Sequence, residues 1–326
     1  MRNWDGVRNR DGSVFSFFEK TFDIKINFKN EKTEPSLFLT PSQFLICFWE
    51  TFQKCFKQIQ IKEIGQSKKI YEISNPNKTS IYKSVLKKLE KEKTKTEKVQ
   101  IVLSNKMKKY EQYFTECKIL DGKPIFFSSI EPILKKILGE NSLALQDIYI
   151  LTDYYQEKNI NLIRTLAPKV KTINIITKEI EKYKIIEEIL QEQGNSVVVS
   201  NNRRKSLKKA KIIINLDFEL ENLNKYIIFR NAVIINLTKE KLTKLKGFEG
   251  ITIRDVQLKL KEEENEFIQQ NRLESFNQLE IYESLQNKLS LTNGIEIDKL
   301  CGNNGTIEDK ELENLRKSFC EFTVKN

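Results

Sequence analysis

The chain contains no histidine, and that absence removes the commonest general base, the commonest neutral metal ligand and the partner of Ser-His and Cys-His nucleophilic catalysis. Any chemistry falls to Lys, Asp, Glu, Tyr, an unassisted Cys or a bound cofactor. Cysteines are few: Cys47, Cys55, Cys117, Cys301 and Cys320 are odd in number and widely spaced, with no Cys-x-x-Cys pair. Free thiols are expected, and no metal site. Cys47 and Cys55 stand about two helical turns apart, too far to bridge. No apolar run approaches the roughly 18 residues needed to span a bilayer, so no membrane partner is expected. The opening Met-Arg-Asn-Trp-Asp-Gly is polar and has no apolar stretch of signal-peptide type. A cytoplasmic location follows as an expectation.

What is present is an ordinary globular composition, 39% hydrophobic and 10% aromatic over 326 residues, enough for two or three domains. The net charge of +11 is unevenly spread. From Gln257 onward nine basic residues face fourteen acidic ones, net −5, so the preceding 256 residues carry +16. A basic body suggests a nucleic-acid surface, although the richness in Asn, Ile and Lys is also that of AT-rich genomes.

Three domains are read from the patterning. Residues 1–140 form a small α/β domain. Ile24, Ile26 and Phe28 alternate as a strand does, and Thr40, Pro41 and Gln43 give a helix start of capping-box type, predicting a helix from Pro41 to about Lys57. Its apolar residues cover more than one face, which places it either at the centre of its domain or against a second chain, so a homo-oligomer stays open. Further strands are expected at Ile70–Ile73 and Val99–Leu103, with a basic amphipathic helix at Ser80–Glu92. Between Lys83 and Lys109 ten Lys stand against three Glu, the pattern of a solvated face. Ile130, Ile133, Leu134, Ile137 and Leu138 predict a helix that Gly139 stops.

Residues 141–256 show the clearest pattern. Strands rich in β-branched residues are expected at Ile148–Leu151, Thr172–Ile176, Ser196–Val199, Ile212–Leu216 and Ala232–Leu237. Helical segments lie between them at Ile160–Leu166, Ile180–Gln193, Ser206–Ala210 and Leu220–Tyr226. Apolar strands alternating with helices imply a doubly wound parallel sheet covered on both faces. The fold class is therefore α/β: a Rossmann-like doubly wound parallel sheet preceded by a smaller α/β domain, with an acidic helical C-terminal extension over residues 257–326 that packs back on the body. In that extension Leu300-Cys-Gly-Asn-Asn-Gly-Thr-Ile307 reads as a turn between elements.

The run Ile173-Asn-Ile-Ile-Thr-Lys-Glu-Ile-Glu-Lys-Tyr183, the helix to Gly194, the strand Val197-Val-Val199 and the segment Ser206-Leu-Lys-Lys-Ala-Lys-Ile-Ile-Ile-Asn-Leu-Asp217 together resemble the NAD(P)-binding domain of the shikimate dehydrogenase and glutamyl-tRNA reductase type. The resemblance implies the fold, and NAD(P) as cofactor. It departs at the first loop, where Leu151-Thr-Asp-Tyr-Tyr-Gln-Glu-Lys-Asn-Ile160 has no glycine to let backbone approach a pyrophosphate. Asp153 and Glu157 would set carboxylates against the phosphates, while Tyr154 and Tyr155 would fill the space, at least one ring buried against the following helix. The Asn-Val-Thr-x-Pro-x-Lys motif of the shikimate enzymes is missing, and the Cys-His pair of the reductases is impossible. No catalytic residue is carried over.

The leading expectation is a non-catalytic Rossmann-like protein used for binding or regulation, with no cofactor assigned and any ligand at the carboxyl edge of the sheet. Thr152, Asp153, Thr177, Lys178, Asn201, Asn202, Asn215 and Asp217 are the crevice candidates because they sit at or just after strand ends. Each is also a residue type that caps helices and turns. An oxidoreductase-like enzyme with an altered cofactor loop would place Thr177 and Lys178 near an adenosine ribose or its phosphate. Nucleic-acid binding would rest on Arg203, Arg204, Lys205, Lys208, Lys209 and Lys211, a patch that could equally take a small phosphorylated ligand or the acidic C-terminal segment.

Overall fold

The computed structural model describes residues 21–25, 59–64, 68–73, 79–91, 99–139, 142–242, 245–271, 273–285 and 295–321. The predicted helix at Pro41–Lys57, with Cys47 and Cys55, lies outside them. So do Ile26 and Phe28. The chain divides into two compact units, one of residues 1–121 with 266–284 and one of residues 122–265 with 285–326.

The first unit holds a five-stranded sheet of order β2-β3-β1-β4-β5, built from β1 (Thr21–Lys25), β2 (Ile59–Ile64), β3 (Lys68–Ile73), β4 (Gln100–Leu103) and β5 (Lys118–Ile119). β1 runs parallel to β3 and β4, and only β2 is antiparallel to its neighbour. Helix α1 (Thr79–Glu90) places Ile81, Tyr82, Val85 and Leu89 inward with Tyr71, Ile101 and Phe114, an i, i+1, i+4, i+8 stripe that leaves Lys83 and Lys87 exposed. Tyr82 stacks on Tyr113 at 4.6 Å and meets Phe114 edge-on. The later segment 273–284 adds buried Leu273, Phe276 and Leu279 to this unit.

The second unit carries the six-stranded sheet: β6 (Asp147–Leu151), β7 (Thr172–Ile176), β8 (Val197–Ser200), β9 (Ile212–Asn215), β10 (Val233–Asn236) and β11 (Ile251–Ile253). All neighbours are parallel and the order is β11-β10-β9-β6-β7-β8. Counted from β6, this is 6-5-4-1-2-3, the doubly wound order of the Rossmann fold, with the chain reversing direction across the sheet between β6 and β9. Ile212, Ile213, Ile214, Val233, Ile234 and Ile235 are all buried, as strands covered on both faces require. Each contributes about 1.5–3 kcal/mol by leaving water.

Helices α2 (Lys123–Ser128) and α3 (Ile130–Leu138) precede the sheet. α4 (Glu157–Leu166), α5 (Ile180–Glu192) and the short α6 (Leu220–Leu223) form crossovers. The predicted helix at Ser206–Ala210 is instead a succession of turns, because Asn202 takes the Arg204 and Lys205 amides at 3.1 Å each and so satisfies them without a helix. β11, unforeseen in the sequence, completes the sheet edge. At its entry Gly250 is required, since a Cβ there would stand 1.9 Å from the Ala232 carbonyl oxygen.

The acidic extension is helical at α7 (Glu262–Gln270), α8 (Gln278–Leu285) and α9 (Asp309–Glu321). It adds an antiparallel sheet of β12 (Asp255–Leu258), β13 (Ile297–Gly302) and β14 (Gly305–Thr306). The predicted turn is thus the tip of a hairpin, at Asn303 and Asn304. Cys117 and Cys301 are free thiols. Among the described residues no helix is long and apolar enough to cross a membrane, and no cluster of Cys, Asp and Glu could hold a metal.

Candidate functional site

Every crevice candidate lies at the carboxyl edge of the six-stranded sheet, because each is the last residue of a parallel strand, as Asn215 is, or follows it by one or two residues. Ladder bonds carry this edge one residue past the strands: the Thr152 amide donates to Ile176 O, Thr177 to Ser200 O and Leu216 to Leu151 O. Beyond those bonds the chain must satisfy its own polar groups, and side chains do so.

Asp217 is the hub. One carboxylate oxygen, Oδ1, accepts the Asp153 amide at 2.7 Å, and Oδ2 accepts the Tyr154 amide at 3.2 Å and the Thr152 hydroxyl at 2.9 Å. Thr152 Oγ1 in turn accepts from Asn159 Nδ2 at 2.9 Å. The Tyr154 carbonyl is taken by Asn159 Nδ2 at 3.1 Å and the Tyr183 hydroxyl at 3.0 Å. Thr152, Asn159 and Tyr183 are fully buried. Burial pushes the Asp217 carboxyl upward against the pull of its three donors, and the nearby Asp153 carboxylate pushes the same way. Burial likewise holds the Tyr183 phenol above its ordinary value, which keeps its proton available for the Tyr154 carbonyl.

Asp153 faces the neighbouring strand end. Its carboxylate accepts the Lys178 amide at 3.1 Å and the Lys178 ammonium at 2.6 Å, and this bond raises the Lys178 pKa. The two aspartates therefore tie the first loop to the β7 and β9 loops. Thr177 caps its own turn by accepting the Glu179 amide at 3.0 Å. Asn215 accepts the Phe218 amide at 2.9 Å and donates to Asn236 Oδ1 at 2.7 Å. Asn201 and Asn202 are exposed in the turn after β8, and Asn202 serves that turn alone.

Thr152, Asp153, Lys178 and Asp217 are thus brought into one bonded group, whereas Thr177, Asn202 and Asn215 act as local caps. Asn159 and Tyr183 belong to the network but were not singled out in the sequence, nor was Asn236, which pairs with Asn215 apart from it. Both network residues stand unmarked in the sequence, Asn159 near the end of the glycine-free loop and Tyr183 at the end of the run that carries the resemblance. The expected tyrosine plug is overturned: Tyr154 and Tyr155 are 62% and 42% exposed, and the ring buried at this place is Tyr183, which Tyr155 meets edge-on at 5.4 Å. The loop's amides turn Tyr154 outward once Asp217 has captured them.

Five of the six basic-patch residues, Arg203, Arg204, Lys205, Lys208 and Lys209, are exposed, and Lys211 is half-buried. The Arg203 side chain lies near the Tyr226 hydroxyl, and the Ile227 amide donates to Arg203 O at 3.2 Å. Tyr226 is half-buried, and the apolar surroundings and the Asp153 carboxylate raise its pKa.

An NAD(P) pyrophosphate does not fit the residues of the first loop. The amides that would meet it are already bonded to a carboxylate, and a second carboxylate stands beside them.

Six parallel strands in this order define a Rossmann-like α/β protein. No protein-family model matches the chain, and no curated protein matches it in sequence. Among solved structures it is similar to L-tryptophan dehydrogenase from Nostoc punctiforme, at 9% identity over 94% of this chain and 90% of that one, with a TM-score of 0.32. It is also similar to a chorismate mutase/shikimate 5-dehydrogenase fusion protein from Clostridium acetobutylicum, at 13% identity over 95% and 100%, with a TM-score of 0.29.

Proposed function

We propose that this chain is a binding or regulatory protein built on a Rossmann-like frame, not a nicotinamide-dependent enzyme, and that it works in the cytoplasm. One observation carries the reading: the Asp217 carboxylate accepts the Asp153 and Tyr154 amides and the Thr152 hydroxyl. Backbone amides at this point of the fold are the donors a dinucleotide pyrophosphate needs. A tethered carboxylate competes with a ligand at very high effective concentration, and it repels phosphate as well.

Thermal melts with NAD, NADH, NADP and NADPH test this reading. A dinucleotide present at about 100 times its Kd stabilises by roughly 2.7 kcal/mol, a rise of about 5–10 °C for a domain of this size. No rise is expected at millimolar concentration. A rise of that size with any of the four overturns the proposal in favour of an oxidoreductase-like enzyme with an altered loop, with Thr177 and Lys178 beside the adenosine ribose.

A further inference from the structure

The carboxyl edge is closed to a pyrophosphate but not bare. Tyr154 and Tyr155 present exposed rings on the first loop. On the facing loops Lys178 and Arg203 lie near Tyr226, and Ile227, 53% exposed, follows it. From Arg203 the chain continues through Arg204 and Lys205 in a turn fixed by Asn202 and by the hydroxyl pair Ser200–Ser206 at 3.1 Å. No Asp or Glu occurs between Gly194 and Leu216. Of the acidic groups of the edge, Asp153 is held by Lys178, Asp217 by the first loop and Glu179 by Lys182 at 2.6 Å, while Glu157 and Glu219 are exposed.

Exposed aromatic rings beside a track of cations are what a single-stranded polynucleotide requires, because bases stack on rings whatever their identity while the backbone follows the charges. A duplex hides its base faces and offers the rings nothing. We infer that this edge binds single-stranded nucleic acid, with the exposed Tyr154 and Tyr155 meeting bases and Arg203, Arg204 and Lys205 meeting phosphates. The inference rests on the edge being a binding surface, and it adds the chemistry of the ligand.

Fluorescence anisotropy of labelled dT12 and rU12, a 12-base-pair duplex and the mononucleotide UMP as competitor test it on the full chain. Three phosphate contacts give a salt slope of about −2 for a single strand, so affinity should fall roughly 20-fold between 50 and 200 mM salt. Preference between dT12 and rU12 reports which polynucleotide is the ligand. The triple charge reversal R203E/R204E/K205E should weaken binding at least about 30-fold, and Y154A/Y155A at least about fivefold. The charge-reversed residues are exposed, so that variant should melt with the parent, while Y154A/Y155A loses the Tyr155–Tyr183 ring contact and should melt slightly lower but still cooperatively. The reversal K83E/K87E on α1, equally exposed, should leave binding unchanged. The inference is overturned if neither oligomer binds at 50 mM salt, if the duplex binds as tightly as the single strands, if the edge variants bind like the parent, or if UMP displaces the oligomer at equal concentration. Dinucleotide-dependent melting remains a separate readout, so either proposal can fail alone.

Discussion

Asp217 stands under two opposed demands, since burial disfavours its charge while two amides and a hydroxyl favour it. Desolvation is the larger effect, so its folded pKa lies above the ordinary 3.8. The folded state then holds this proton more tightly than the unfolded chain does. The resulting stability is complete below the unfolded pKa and is lost as pH rises through the folded value. Asparagine cannot titrate, so the stability of the parent relative to D217N should decline as pH rises from about 3 to 7. Melting both proteins across that range checks the sign, and a relative stability that grows with pH contradicts it. Alanine removes the acceptor altogether. D217A should lose about 1.5–3 kcal/mol at pH 7 in urea titration, the cost of stranding donors that served a charged partner.

Two elements depend on side chains supplied from elsewhere. β8 is an edge strand whose outward groups would otherwise be open to another chain. Gln191 Nε2 donates to Val197 O at 2.8 Å, and Glu187 accepts the Val199 amide at 3.3 Å, so α5 covers the edge with its own polar side. The C-terminal end of α3 is closed from α9, where Arg316 Nε donates to Ile137 O at 3.0 Å and Nη2 to Lys136 O at 2.7 Å. The guanidinium lies over Gly139, whose positive φ of 62° lets the chain turn away beneath it. Cations at this end also meet the negative pole of the helix. R316A should therefore cost about 1–2 kcal/mol, with R316K recovering little, because an ammonium does not reproduce the planar fork. Equal urea midpoints for parent and R316A would refute the cap. Such elements were partly legible beforehand. β7 was read at its observed limits because five consecutive residues carry the burial pattern themselves. The turn at 201–210 and the strand β11 were missed because a side-chain bond and a backbone approach decided them.

At the scale of the whole molecule the units are not contiguous in sequence, and residues 266–284 belong with residues 1–121. The Asn105 amide donates to Ser275 O at 3.0 Å, and Lys108 pairs with Glu280 at 2.7 Å. Phe276 is buried, so F276A should cost about 3–5 kcal/mol. Hydrogen exchange should show the loss in β4 first, and equal loss in β6 and β9 would contradict the division into units. The sequence by itself determined the α/β class, the parallel sheet, the missing histidine chemistry and the glycine-free loop, since these follow from the residues present and from burial periods of two and 3.6 residues. It also placed Asp217 at a strand end. Only the tertiary structure decided that this carboxylate closes a loop 64 residues away and that Tyr154 and Tyr155 face water. Hydrogen-bond partners at that separation are set by strand order and register, which no local pattern encodes.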